Sequence, residues 1–387
     1  MADHAVLSAS GAHRWLLCTP SAQLEQQFPP STSSYAEEGT VAHALAELTT
    51  RYYLGEISEV YFENEIAEKF VPNSYYNQEM REHAAAYAKF VMSRLAAAKE
   101  VCPDPIVNLE TRLDFSKYVP GGFGTGDCVI VAEPTMEVID FKYGKGHRVS
   151  AEDNPQMQLY GLGALEMFGD LYDIKQVRMS IFQPRLSGVE DTSEKTTKEL
   201  TSWGRTYVKP RAKLADKGQG DFNPCEEACR FCRAKNTCRA RTEENLKLFD
   251  ESPDPLLISA EEAGAILARA ADIETWLKDL RETVSSALAA GEPVTGWKMV
   301  EGRSNRKFAD EDKVVAAMKA AGYDEALLYE RKLITLTQME RGFGKKALAE
   351  VLGDLIVKPQ GAPTLAPESD KRPAYRFEDQ VLKAFDE

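Results

Sequence analysis

Residues 128–132 (CVIVA) and 136–142 (MEVIDFK) are two dense apolar runs separated only by Glu133, Pro134 and Thr135. β-Branched and aromatic residues at that density, cut by a Pro-containing turn, predict a β-hairpin. A strand period of two puts Val138, Asp140 and Lys142 on one face. Ile139 and Phe141 point the other way, into a core. A carboxylate and an ammonium two residues apart then project side by side from one strand.

The flanking sequence mixes both periodicities. Residues 40–53 and 77–99 predict helices, 106–113 a strand, 155–168 a helix and 177–183 another strand, followed by a helix through about residue 214. The class is therefore α/β. A loop at 218–224 leads into a cysteine cluster, and a linker is expected at Ser252, Pro253, Asp254 and Pro255. A long helix follows, with Ser259 and Glu262 fitting a capping box and Gly291 a C-cap. At 387 residues, two or three domains are expected. The boundaries expected are 1–245 for a first domain and 256–387 for a mainly helical C-terminal one.

Lys and Arg total 47 against 61 Asp and Glu, a net charge of −14, which excludes a generally basic nucleic-acid coat. A local basic groove remains open, because steering depends on where charge sits. Residues 205–241 hold ten Lys/Arg against four Asp/Glu. No apolar run reaches ~18 residues, so no transmembrane helix and no membrane partner are expected. The first residues lack a signal peptide's charged start and apolar core, which makes the cytoplasm the expected compartment.

Asp127 opens the strand before Asp140 and can reach the same end of the hairpin. Two carboxylates in reach repel, and a divalent cation relieves that cost. Oxygen ligands of this kind suit Mg²⁺ or Mn²⁺. A lysine beside such a metal can orient a water and offset transition-state charge. Taken alone, an Asp-x-Lys strand is more often a solvated face with a weak ion pair.

Four motifs in order over about 120 residues change that weighting. They are 39–43 (GTVAH), 124–127 (GTGD), 139–142 (IDFK) and 156–160 (QMQLY). Together they resemble the RecB-like branch of the PD-(D/E)XK nucleases. The resemblance implies a restriction-endonuclease-like core, a mixed central sheet flanked by helices. It implies His43, Asp127 and Asp140 as metal ligands and Lys142 as the catalytic lysine. Gln156 and Tyr160, four apart on one helix face, would support the site or touch DNA. Glu110, on the preceding strand, is carried over as an additional acid.

Seven cysteines are present, and Cys225, Cys229, Cys232 and Cys238 fall within fourteen residues. In a reducing compartment such crowding points to a metal rather than disulfides. These four thiolates would satisfy a tetrahedral Zn²⁺. A second reading adds Cys18: a cysteine before the core and a Cx₂Cx₅C group after it resemble AddB-type iron–sulfur nucleases. On that resemblance Cys18, Cys229, Cys232 and Cys238 hold a [4Fe–4S] cluster that staples the two ends of the nuclease domain, with Cys225 spare. Cys102 and Cys128 read as ordinary cysteines.

The long helix carries an apolar stripe at Ile266, Ala270, Ile273, Leu277, Leu280, Val284 and Leu288, which fits core or a subunit contact, so an oligomer is possible. Residues 296–298 (GWK) and 302–307 (GRSNRK) offer an aromatic and four cations for single-stranded DNA. The whole chain resembles a phage and prophage family of RecB-like proteins. That implies a Mg²⁺- or Mn²⁺-dependent deoxyribonuclease, an exonuclease of phage recombination or replication, in the bacterial host's cytoplasm. Its partners would be DNA and a phage recombination or single-strand-binding protein. The rival is a catalytically silent DNA-binding partner that keeps the fold.

Overall fold

The computed structural model describes residues 5–29, 34–146, 148–186, 189–250, 260–299, 311–321, 328, 335–344, 350–352 and 355–356. Residues 1–293 form one compact unit and 294–387 a second. The second unit contains helices Glu311–Ala320 and Leu336–Phe343 among its described residues. The expected linker at 252–255, Ser259 and the cation-rich 302–307 lie outside the described residues.

The first unit is built on a five-stranded mixed sheet in the order β1-β2-β3-β4-β5. The strands are β1 (Ile106–Asp114), β2 (Phe123–Ala132), β3 (Thr135–Phe141), β4 (Gln176–Gln183) and β5 (Val189–Thr196). All neighbours run antiparallel except β3 and β4, which are parallel. That parallel step needs a crossover, and a helix supplies it.

Helices cover both faces. On one, α1 (Ala12–Leu17) and the crossover helix α4 (Pro155–Phe168) close a core of Trp15, Leu113, Val129, Val138, Met157 and Met179. On the other, α2 (Ser34–Tyr53) and α3 (Gln78–Val101) cover Cys128, Ile130, Ile139, Phe141 and Phe182. Successive residues of β2 and β3 therefore enter opposite cores, and a strand buried on both faces reads as a continuous apolar run. Asn77 starts α3 by accepting from the Met80 N–H at 2.9 Å, and Asn154 caps α4 in the same way through Gln156 and Met157.

Two elements differ from expectation. β2 starts at Phe123, four residues before Asp127, and takes Gly124 and Gly126 into the strand. β5 (VEDTSEKT) replaces the first part of the helix expected directly after Gln183. Its polar alternation gives no apolar run, and as an edge strand it needs none.

The helix α8 (Ala260–Ala289) groups with the first unit rather than opening the second. Asp279, 5% exposed, takes Arg241 at 2.6 Å and Lys235 at 3.3 Å, beside the buried Ile273 and Trp276. Arg241 lies on α7 (Arg239–Asp250). Between β5 and α7, α5 (Thr197–Trp203) and α6 (Lys209–Asp216) flank a π-helical turn, Gly204–Val208.

Glu137, 5% exposed on β3, is held by Arg94 Nε at 2.8 and 3.0 Å and by the Ser180 hydroxyl at 2.6 Å. Glu137→Ala leaves Arg94 and Ser180 without their acceptor. It is expected to cost about 3–5 kcal/mol, read as a lower urea midpoint with an unchanged m-value.

Candidate active site

Strand register lines up three acids. Leu109 pairs with Cys128 and Thr111 with Gly126, so Glu110 stands opposite Asp127. The β2–β3 ladder ends at Cys128 and Ile139, so one step further Asp127 comes abreast of Asp140. Neighbouring strands are ~4.8 Å apart, and the carboxylates crowd. Glu110 has φ +48, a left-handed conformation in mid-strand that costs a non-glycine residue of order 1–3 kcal/mol.

His43 reaches this row from α2, its Nδ1 3.1 Å from Asp127 Oδ1. The other Asp127 oxygen accepts from the Phe141 backbone N–H at 2.6 Å. Ligand atoms of His43, Glu110 and Asp127 all lie within 4.8 Å of one another. Burial, with Asp127 adding repulsion, pushes the Glu110 carboxyl up to about 7. Burial works against protonation of His43, but the charge and hydrogen bond of Asp127 outweigh it and carry the imidazole up to about 8.

Asp140 is outside that close group. It is 3% exposed, its Oδ2 lies 3.0 Å from Lys142 Nζ, and its Oδ1 accepts from Gln156 Nε2 at 3.1 Å. Burial pushes its carboxyl up against the pull of Lys142. Lys142 Nζ also donates to Gln156 Oε1 at 3.0 Å, and the Gln156 amide reaches Tyr160 Oη at 3.3 Å. One glutamine on α4 thus spans Asp140, Lys142 and Tyr160. Gly124 makes room for this: a Cβ there would sit 2.7 Å from Tyr160 Cε1, and one on Gly126 would meet Leu113 at 2.8 Å.

All seven residues singled out here, Glu110 included, come together across β1, β2 and β3 and the helices α2 and α4. The Phe141 N–H that fixes Asp127 carries no signal in the sequence, and neither does the approach of Glu110, in place of Asp140, to His43 and Asp127. Only the β1–β2 register reveals that Glu110 faces Asp127.

The cysteines meet elsewhere. Cys18, Cys229, Cys232 and Cys238 line one small cavity with Ser21, Phe222 and Pro224. Cys225 is not part of that lining. Among the described residues, no three of these sulfurs fall within 4.8 Å of one another. Tetrahedral zinc, at ~2.3 Å per thiolate, needs sulfurs only ~3.8 Å apart. Burial pushes Cys232 up to about 11 and raises Cys18 and Cys229 as well. Glu25 ties the two chain segments together: 3% exposed, it takes Arg14 at 2.5 Å and the Arg233 N–H at 2.7 Å.

The molecule is thus a mixed α/β protein with a histidine–carboxylate group beside a buried aspartate–lysine pair. The chain belongs to the family described as "Protein of unknown function (DUF2800)", whose profile matches residues 4–373. Among solved structures it is similar to a candidate exonuclease from Eubacterium rectale, at 11% identity over 66% of this chain and 92% of that one, with TM-score 0.31. An alkaline exonuclease from Laribacter hongkongensis matches at 13% identity over 46% and 87%, with TM-score 0.24. Likenesses this distant carry no functional weight. Among the described residues, no helix is long and apolar enough to cross a membrane.

Proposed function

We propose that the chain is a divalent-metal-dependent deoxyribonuclease with a restriction-endonuclease-type core, acting as an exonuclease. The observation that carries this is the meeting of His43, Glu110 and Asp127 within 4.8 Å, beside Asp140 and Lys142 joined at 3.0 Å. A mixed imidazole and carboxylate donor set with a raised Glu110 fits Mg²⁺ or Mn²⁺. When bound, the cation supplies charge neutralisation at the phosphate and lowers the pKa of water. His43, Glu110 and Asp127 would hold it, with Asp140 bordering them.

Hydrolysis adds water to phosphorus and expels the sugar oxygen. Lys142 places its ammonium against the charge that builds on the phosphoryl oxygens and orients the attacking water. Gln156 keeps Lys142 and Asp140 in register, and Tyr160 backs Gln156. Cys18, Cys229, Cys232 and Cys238 hold a [4Fe–4S] cluster as a structural staple. The cavity they share, without Cys225, supports this set over zinc. The motif resemblance supports a role in phage DNA recombination or replication, in a bacterial cytoplasm, with a recombination or single-strand-binding protein as partner.

Metal binding tests the centre directly. Glu110 holds its proton more tightly in the fold than its ordinary 4.5, and so does His43 relative to 6.5. Both protons must leave for the groups to ligate. Metal-free protein therefore loses stability as pH rises through about 7 and 8, and a metal restores it. Mn²⁺ affinity by electron paramagnetic resonance, and the Mn²⁺-induced rise in Tm, are expected to be larger at pH 8.5 than at pH 6. Asp127→Asn is expected to abolish both. Equal Mn²⁺ binding by wild type and Asp127→Asn overturns the assignment.

A further inference from the structure

The segment 197–217 carries six cations, Lys198, Arg205, Lys209, Arg211, Lys213 and Lys217, against Glu199 and Asp216, so 6 − 2 = +4 in a chain of net −14. Leu200, Gly204, Val208, Ala212 and Ala215 are buried, which leaves Lys198, Arg205, Lys209 and Lys213 exposed. Arg205, Lys209 and Lys213 follow at four-residue steps, about one helical turn each.

Among the described residues none of the six makes an ion pair. By contrast, Lys69, Arg81, Arg94, Lys117 and Arg178 each sit on a carboxylate. The two acids of the segment are not placed to neutralise it. Glu199 closes the capping box with Thr196, and Asp216 is exposed at the far end. Arg211 lies 4.0 Å over the Tyr207 ring, itself stacked on Trp203 at 6.3 Å. Stacking holds a guanidinium by its face and leaves its in-plane N–H donors free.

We propose that this exposed helical face is the track for the nucleic-acid backbone, with Arg205, Lys209, Lys213 and the stacked Arg211 contacting phosphates. The proposal rests on the nuclease reading and names the surface that holds its substrate outside the reacting atoms. A row of unpaired cations at about one-turn spacing, along a helical segment in an acidic protein, is complementary to a regularly spaced polyanion. It carries no base-reading element, so binding is sequence-tolerant and salt-dependent.

The test measures binding of the full chain, in EDTA so that nothing is cut, to fluorescent single- and double-stranded oligonucleotides across a salt series. The variant is Arg205→Gln/Lys209→Gln/Lys213→Gln. A charge-matched control is Lys69→Gln/Lys89→Gln/Lys99→Gln, and thermal melts verify both folds. The expected result is about tenfold weaker binding at 0.1 M salt and a log Kd against log salt slope shallower by ~2–3 for the first variant. The control should keep the wild-type slope. Equal effects of both variants, or of neither, overturn the proposal. Polyglutamate displacing the oligonucleotide at equal charge overturns it in favour of an acidic polypeptide. Wild type that binds through this face but never cuts DNA sinks the nuclease reading alone. Wild type that cuts while the variant binds normally sinks the track alone.

Discussion

Lys142→Ala is expected to cut DNA about 10²–10³-fold more slowly than wild type while its Mn²⁺ affinity does not fall. The ammonium sits 3.0 Å from Asp140 and 3.0 Å from Gln156, and a protonated amine has no lone pair to offer a cation. Removing it takes charge stabilisation from the reaction and leaves the metal donors in place. Lys142→Arg keeps the charge but not its shape, and a fork-shaped guanidinium does not match the two single contacts, so partial rescue at most is expected. The readout is single-turnover decay of end-labelled DNA beside a Mn²⁺ titration. A variant that loses metal and cleavage together would instead place Lys142 in the integrity of the site.

Cys232→Ser carries the second large effect. The residue is 8% exposed, and the proposed cluster would link the chain from Cys18 to Cys229, 229 − 18 = 211 residues apart. Cross-linking a loop beyond 100 residues is worth ~4–5 kcal/mol in the chain-entropy picture, and metal-binding energy here is folding energy. Loss of the brown iron–thiolate absorption is expected, with Tm lower by on the order of 10 °C. Cys225→Ser is expected to change neither. The opposite pattern, with Cys225→Ser destabilising, Cys18→Ser neutral and zinc in place of iron by elemental analysis, would select the local four-cysteine zinc site.

The strands β1, β3 and β4 and the helices α3 and α4 were legible because each carries a strong local signal. Residues 136–142 alternate between two cores, and 155–168 is bounded by an asparagine cap and a proline at the first turn. β5 was not legible, because VEDTSEKT has the polar texture of a loop and becomes a strand only by pairing with β4. The strand position of Gly124 and Gly126 shows only once the Tyr160 ring and Leu113 are placed against them. At the site, Asp127, Asp140, Lys142, Gln156 and Tyr160 follow from motif and period. The partnership of Glu110 with Asp127 does not, since it depends on register between strands with eight residues between them. The same limit hid the grouping of α8 with the first unit, which hangs on Asp279 meeting Arg241 across 38 positions.

These residues are proposed to form a metal-dependent nuclease. Anaerobically purified wild type, incubated with end-labelled linear single- and double-stranded DNA in Mg²⁺, Mn²⁺ or EDTA, tests it most directly. Degradation that requires either cation and stops in EDTA is the result predicted. Intact DNA in a sample whose Mn²⁺ site is filled by electron paramagnetic resonance would contradict it and favour a DNA-binding protein that keeps the fold without the chemistry.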